Sequence, residues 1–142
     1  MKFLAIVLAA CIIGCCSAEM SEEKKNKMKA IRDVCIAQTE IDAAAVEAFH
    51  DKVVGGEPYT RDPKHDCYLF CVFQNIGLQR DCGKIDADRF IERAKKANLN
   101  VALVTEEVNK CKDRAGKDGC ESAGNVMACF IDNKAPFHEM HA

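Results

Sequence analysis

Past its first eighteen residues the chain has no long apolar run, and this excludes a further membrane-spanning helix, which needs roughly eighteen such residues in succession. It also lacks a concentrated basic face. The formal net charge is −2 at pH 7, and the one lysine cluster, Lys24, Lys25, Lys27 and Lys29, follows Glu22 and Glu23 as a solvated helix face does. Nucleic acid is therefore not an expected partner. No Gly-x-Ser-x-Gly elbow or other nucleophile motif is present, so hydrolase chemistry built on an activated serine is excluded. Strand punctuation is almost missing as well, whereas helix caps recur along the chain.

What is abundant is cysteine, ten residues in 142. The N-terminus explains how they would meet an oxidising environment. Lys2, the apolar run Phe3 to Ile13 and the small residues ending in Cys16-Ser17-Ala18 form a secretory signal peptide over residues 1–18, cleaved after Ala18. Leu8-Ala9-Ala10-Cys11 also fits a lipoprotein cleavage box, but the n-region would be very short, and the downstream cysteines favour an oxidising eukaryotic route. Secretion takes Cys11, Cys15 and Cys16 away and leaves residues 19–142, one helical domain with seven cysteines.

Six helices are expected. Ser21 caps the first, with Glu22 and Glu23 in its opening turn and Met28, Ile31, Val34 and Cys35 at helical spacing, running to about Gln38. Asp42 caps a second, carrying Val46, Phe49 and Val53 and ended by Gly55-Gly56. Asp62-Pro63 opens a third that runs to Ile76, with Gly77 as its stop. Its segment Cys67 to Phe73 holds no charge, which makes it the central helix. Asp86 opens a fourth, with Phe90, Ile91, Ala94 and Ala97 on one face. Val101, Val104, Val108 and Cys111 align on a fifth with Gly116 as its stop, and Asp118-Gly119-Cys120-Glu121 reads as a capping box before a sixth that presents Ala123, Met127, Phe130 and Ile131.

Cys67 and Cys71, four apart on one helix, share a face and suit two different partners better than each other. Cys120 and Cys129 lie on one helix roughly 13 Å apart along its axis, too far to pair. Six cysteines allow fifteen pairings, and spacing alone does not choose among them. Each bridge would stabilise the fold by roughly 3 to 4 kcal/mol through the unfolded chain, enough to tolerate an incompletely filled centre.

Thirty-one residues between Cys35 and Cys67, then Cys-x3-Cys, thirty-nine residues, and Cys-x8-Cys-x8-Cys resemble the insect odorant-binding proteins of the pheromone-binding and general-odorant-binding family. The resemblance covers nearly the whole mature chain. It implies an all-α, six-helix, disulfide-stapled shell around an apolar cavity, with Cys35 joined to Cys71, Cys67 to Cys120 and Cys111 to Cys129. It also implies a carrier rather than an enzyme, without a cofactor, which moves small hydrophobic ligands such as odorants or pheromones through extracellular fluid to membrane odorant receptors. Helix-face residues that would line such a pocket are Phe49, Phe73, Ile76, Phe90, Ala94, Val104, Val126, Met127 and Phe130, although stripes of this kind also suit a plain core. Phe137 on the tail would close the pocket as a lid, or belong to a frayed terminus.

Cys82, in the turn Arg80-Asp81-Cys82-Gly83-Lys84, is the cysteine outside that pattern: a free thiol on a monomer or an intermolecular bond in a homodimer. Two rival constellations are weaker. His65-Asp66-Cys67 is similar to the site of secreted phospholipase A2, but the cysteine-flanked glycine loop expected upstream is missing, and the pair reads as ordinary first-turn residues. Leu78 to Phe90 echoes an EF-hand, but Leu78, Arg80, Cys82 and Arg89 would stand where oxygen ligands are needed, so no metal is expected. A cysteine-rich defence or structural protein with a filled core is the remaining alternative. His138 and His141, with Glu139 between them, would bind a metal at the tail or sense pH, against the plainer reading of a functionless terminus.

Overall fold

The computed structural model describes residues 22–55, 60–96 and 98–133. Residues 1–18 and the tail with Phe137, His138 and His141 lie outside the described residues. The elements are α1 Glu22–Thr39, α2 Ala43–Gly55, α3 Pro63–Asn75, α4 Ala87–Lys96, α5 Val101–Cys111 and α6 Gly119–Asp132. Among the described residues the only β-type pairing is an isolated antiparallel bridge between Gln79 and Ile85. The fold is all-α.

Local chemistry sets most of the boundaries. The Asp62 side chain accepts a hydrogen bond from the Lys64 amide at 2.8 Å, with Pro63 in the first turn, where its missing N–H has no cost. Gly77, at φ 78°, ends α3. Its amide donates to Gln74 O, and the Leu78 amide reaches back to Phe73 O, so the last carbonyls of the helix are met. Asn98, at φ 57°, closes α4 in the same way, with the Leu99 amide donating to Ala94 O. Asp118 caps α6 by accepting from the Glu121 amide at 2.8 Å. Glu121 reaches one residue further upstream than a capping box requires, accepting from the Lys117 amide at 2.7 Å.

Two expectations are corrected. α5 ends at Cys111, five residues before Gly116. Gly116 instead admits α6: a β-carbon there would overlap the Glu121 side chain, and its amide donates to Ser122 Oγ at 2.9 Å. Val34 is 48% exposed, because it stands about a third of a turn away from the stripe shared by Met28 and Cys35, which are buried.

α3 lies at the centre, packed chiefly against α6 and also against α1, while α5 packs against α4 and α6. Leu69, Val72 and Phe73 on α3 have no exposed surface. Three disulfides fasten the assembly. Cys35–Cys71 joins α1 to α3, Cys67–Cys120 joins α3 to α6, and Cys111–Cys129 joins α5 to α6. α3 therefore holds two partners through cysteines one turn apart.

Candidate functional site

Three aromatic rings from three helices meet inside the assembly. Phe73 of α3 lies edge-to-face with Phe90 of α4, ring centroids 6.1 Å apart, and Phe90 lies 5.6 Å from Phe130 of α6. Each occupies its place because an apolar helix position recurs there, and each is almost fully buried. Ala94 on α4, Val104 on α5 and Val126 and Met127 on α6 belong to the same apolar cluster. Eight of the residues expected to line a pocket thus share one interior, Phe49 on α2 among them.

Phe49 also packs edge-on against His65, 3.9 Å between ring centroids. The other two do not share that placing. Ile76, at the end of α3, is half-buried against the cluster rather than inside it. Phe137 lies outside the described residues.

His65 and Asp66 are more than first-turn residues: both are buried. His65 sits between Phe49 and Tyr68, and burial lowers its pKa below the ordinary 6.5 against the opposing charges of Asp66 and Asp62. Asp66 is held by a two-pronged contact from Arg61, Nη2 at 2.8 Å and Nε at 3.2 Å, while Arg61 Nη1 donates to Asn125 Oδ1 at 2.8 Å on α6. A carboxylate committed in this way is a latch between the α3 entry and α6. It does not orient a catalytic imidazole, which leaves the phospholipase reading without support. Arg61 was not visible as a latch in the sequence, since Asn125 lies 64 residues away.

Glu107 is a further buried ionisable side chain. It lies on the inward stripe of α5 with Val104, Val108 and Cys111, and no part of its side chain is exposed. Its only sequence signal is an acid three residues after Val104 in an otherwise apolar stripe. Lys110 contacts Glu106 at 3.0 Å and donates to Glu107 Oε1 at 3.2 Å, and the hydrogen bond to Glu106, then that to Glu107, raises the pKa of its ammonium.

An open groove of about 530 Å³ lies elsewhere, bordered by Arg61, Asp113, Arg114, Asn125, Asp132 and Asn133 among others. Its polar walls suit water rather than an apolar guest, and none of the expected lining residues borders it. Among the described residues no group of three or more metal-ligating side chains comes together. Cys82 is exposed and unpaired, in a turn where Gly83 at φ 91° approaches the Gly119 backbone. No helix of the described residues is long and apolar enough to cross a membrane.

The fold recurs in known proteins. The chain is 30% identical to general odorant-binding protein 99a of Drosophila melanogaster over 133 residues, 90% of this chain and 89% of that protein. It is also 30% identical to general odorant-binding protein 69a of the same species, over 75% of this chain and 68% of that protein. In structure it resembles the fatty acid binding protein OBP56a from the oral disk of the blowfly Phormia regina, with a TM-score of 0.62 at 23% identity over 87% of this chain and 99% of that one. The odorant-binding protein dmelOBP28a from Drosophila melanogaster gives 0.63 at 23% identity, over 84% and 98%. The profile of the PBP/GOBP family matches residues 17–133, and the chain belongs to that family.

Proposed function

We propose that this protein is a secreted carrier that binds small hydrophobic ligands non-covalently and moves them through extracellular fluid. Membership of the PBP/GOBP family supports the class: a binding protein, not an enzyme. The observation that carries the reading is the convergence of Phe73, Phe90 and Phe130 from three separate helices on one interior closed by disulfides. Such an interior offers a guest broad apolar contact and little competing hydrogen bonding. Residues 1–18 act as the signal peptide and residues 19–142 as the carrier domain, which binds as a monomer or as a homodimer linked through Cys82 and delivers its cargo to a membrane odorant receptor.

Displacement of a fluorescent apolar probe by odorants, pheromone-like alcohols and lipids tests the reading, run beside a calcium-dependent lipid hydrolysis assay. Saturable displacement with no turnover is expected, weakened at least several-fold by Phe90→Ala. A folded protein that binds no probe, or one that releases hydrolysis product, would overturn it.

A further inference from the structure

Glu107 is a buried charged group that packing does not account for. Val104, Val108 and Cys111 turn inward from α5 with no exposed surface, and Glu107 on the same stripe is equally covered. α5 packs against α4 and α6, the helices that supply Phe90 and Phe130. A carboxylate in such surroundings is unfavourable unless each oxygen meets a donor. Only one does. Oε1 accepts from Lys110, whereas Oε2, also shielded from solvent, has no donor among the described residues. Lys110 is 45% exposed and is shared with Glu106, so the charge of the pair is balanced from the surface while one buried acceptor stays open.

We propose that Glu107 Oε2 accepts a hydrogen bond from the cargo, and that the protein selects apolar molecules bearing a hydroxyl over equally apolar molecules without a donor. The inference rests on the carrier reading and names the ligand class of that same interior. A hydroxyl can donate to Oε2. An ether or ketone offers only acceptors and would set oxygen against oxygen, and a carboxylate cargo would add a like charge. Sites that supply a buried hydrogen-bonding group reject analogues lacking the complement far more strongly than apolar walls reject a methylene.

The test compares a long-chain primary alcohol with its methyl ether and with the alkane of equal length, each displacing the same apolar probe from the disulfide-bonded protein. The alcohol is expected to bind about tenfold tighter than the ether, the difference made by one hydrogen bond to a charged acceptor. Glu107→Gln keeps the shape and an oxygen for Lys110, and presents an N–H that the ether can accept. In this variant the alcohol preference falls to within about twofold or reverses, while alkane affinity is unchanged, which separates a changed acceptor from a damaged interior. Glu107→Leu removes the preference altogether if it folds, and the glutamine variant decides the matter if it does not. Alcohol and ether of equal affinity in the unaltered protein, both displacing the probe, would overturn the role of Glu107 and leave the carrier reading standing. A preference that survives Glu107→Gln unchanged would also overturn it. Displacement by none of the three would overturn both.

Discussion

Gly124 on α6 lies against the Asp66 carboxylate of α3 so closely that a β-carbon at residue 124 would overlap Asp66 Oδ1 and Cγ. Helix propensity alone favours alanine over glycine inside a helix by about 1 kcal/mol. The contact reverses that sign. Asp66 is buried and held by Arg61, whose Nη2 would itself stand 2.6 Å from the new atom, so neither group yields easily. Gly124→Ala is expected to destabilise the protein by about 1 to 3 kcal/mol, as overpacking does. Urea unfolding measures it, and a stabilised variant would show that the latch moves freely.

The three disulfides differ in the length of chain they close, and this sets an order. Taken singly, Cys67–Cys120 spans 53 residues, Cys35–Cys71 spans 36 and Cys111–Cys129 spans 18. On loop-closure entropy the first contributes about 4 kcal/mol and the last about 3. Paired Cys→Ala variants, compared by denaturant unfolding, should lose stability in that order. The opposite order would show that contacts in the folded state, not the freedom of the unfolded chain, decide what each bridge is worth.

Cys82 stands exposed in its turn and is not bonded to another cysteine. One equivalent of alkylating reagent should therefore react with the folded, unreduced protein. Cys82→Ser should leave stability within about 0.5 kcal/mol, since the side chain is on the surface. A non-reduced mass of twice the chain, lost in Cys82→Ser, would identify a covalent dimer instead.

How far the sequence was readable depended on how local the determining chemistry is. Asp62-Pro63, Gly77 and Asp118 announced their helix ends because a cap bonds amides two or three residues away. Gly116 misled because its glycine answers to the Glu121 side chain crossing over it, not to the end of α5. The buried aromatic residues Phe73, Phe90 and Phe130 were readable as helix-face positions, though not as rings that touch. Arg61 was not readable at all, and Glu107 only as an acid in an otherwise apolar stripe. An acid becomes a buried acceptor, and an arginine a latch, only once the neighbouring helices have closed over them.

His65 predicts how the fold responds to acid. Buried between Phe49 and Tyr68, it takes up a proton less readily than the ordinary imidazole, despite the pull of Asp66 and Asp62. The unfolded chain therefore binds a proton at this site before the folded protein does. The stability this residue confers is fully present above its unfolded pKa of 6.5 and is lost as pH falls from there through the lowered folded value. Thermal unfolding followed from neutral to mildly acidic pH should show the melting temperature falling. His65→Leu, which fills the same apolar place without a titrating group, should fall less steeply over the same range. Because carboxylates elsewhere titrate identically in both proteins, the difference between the two slopes isolates the imidazole. Parallel slopes would mean that Asp66 and Asp62 balance the loss of water around the ring, so that His65 takes up its proton as readily in the fold as in the unfolded chain.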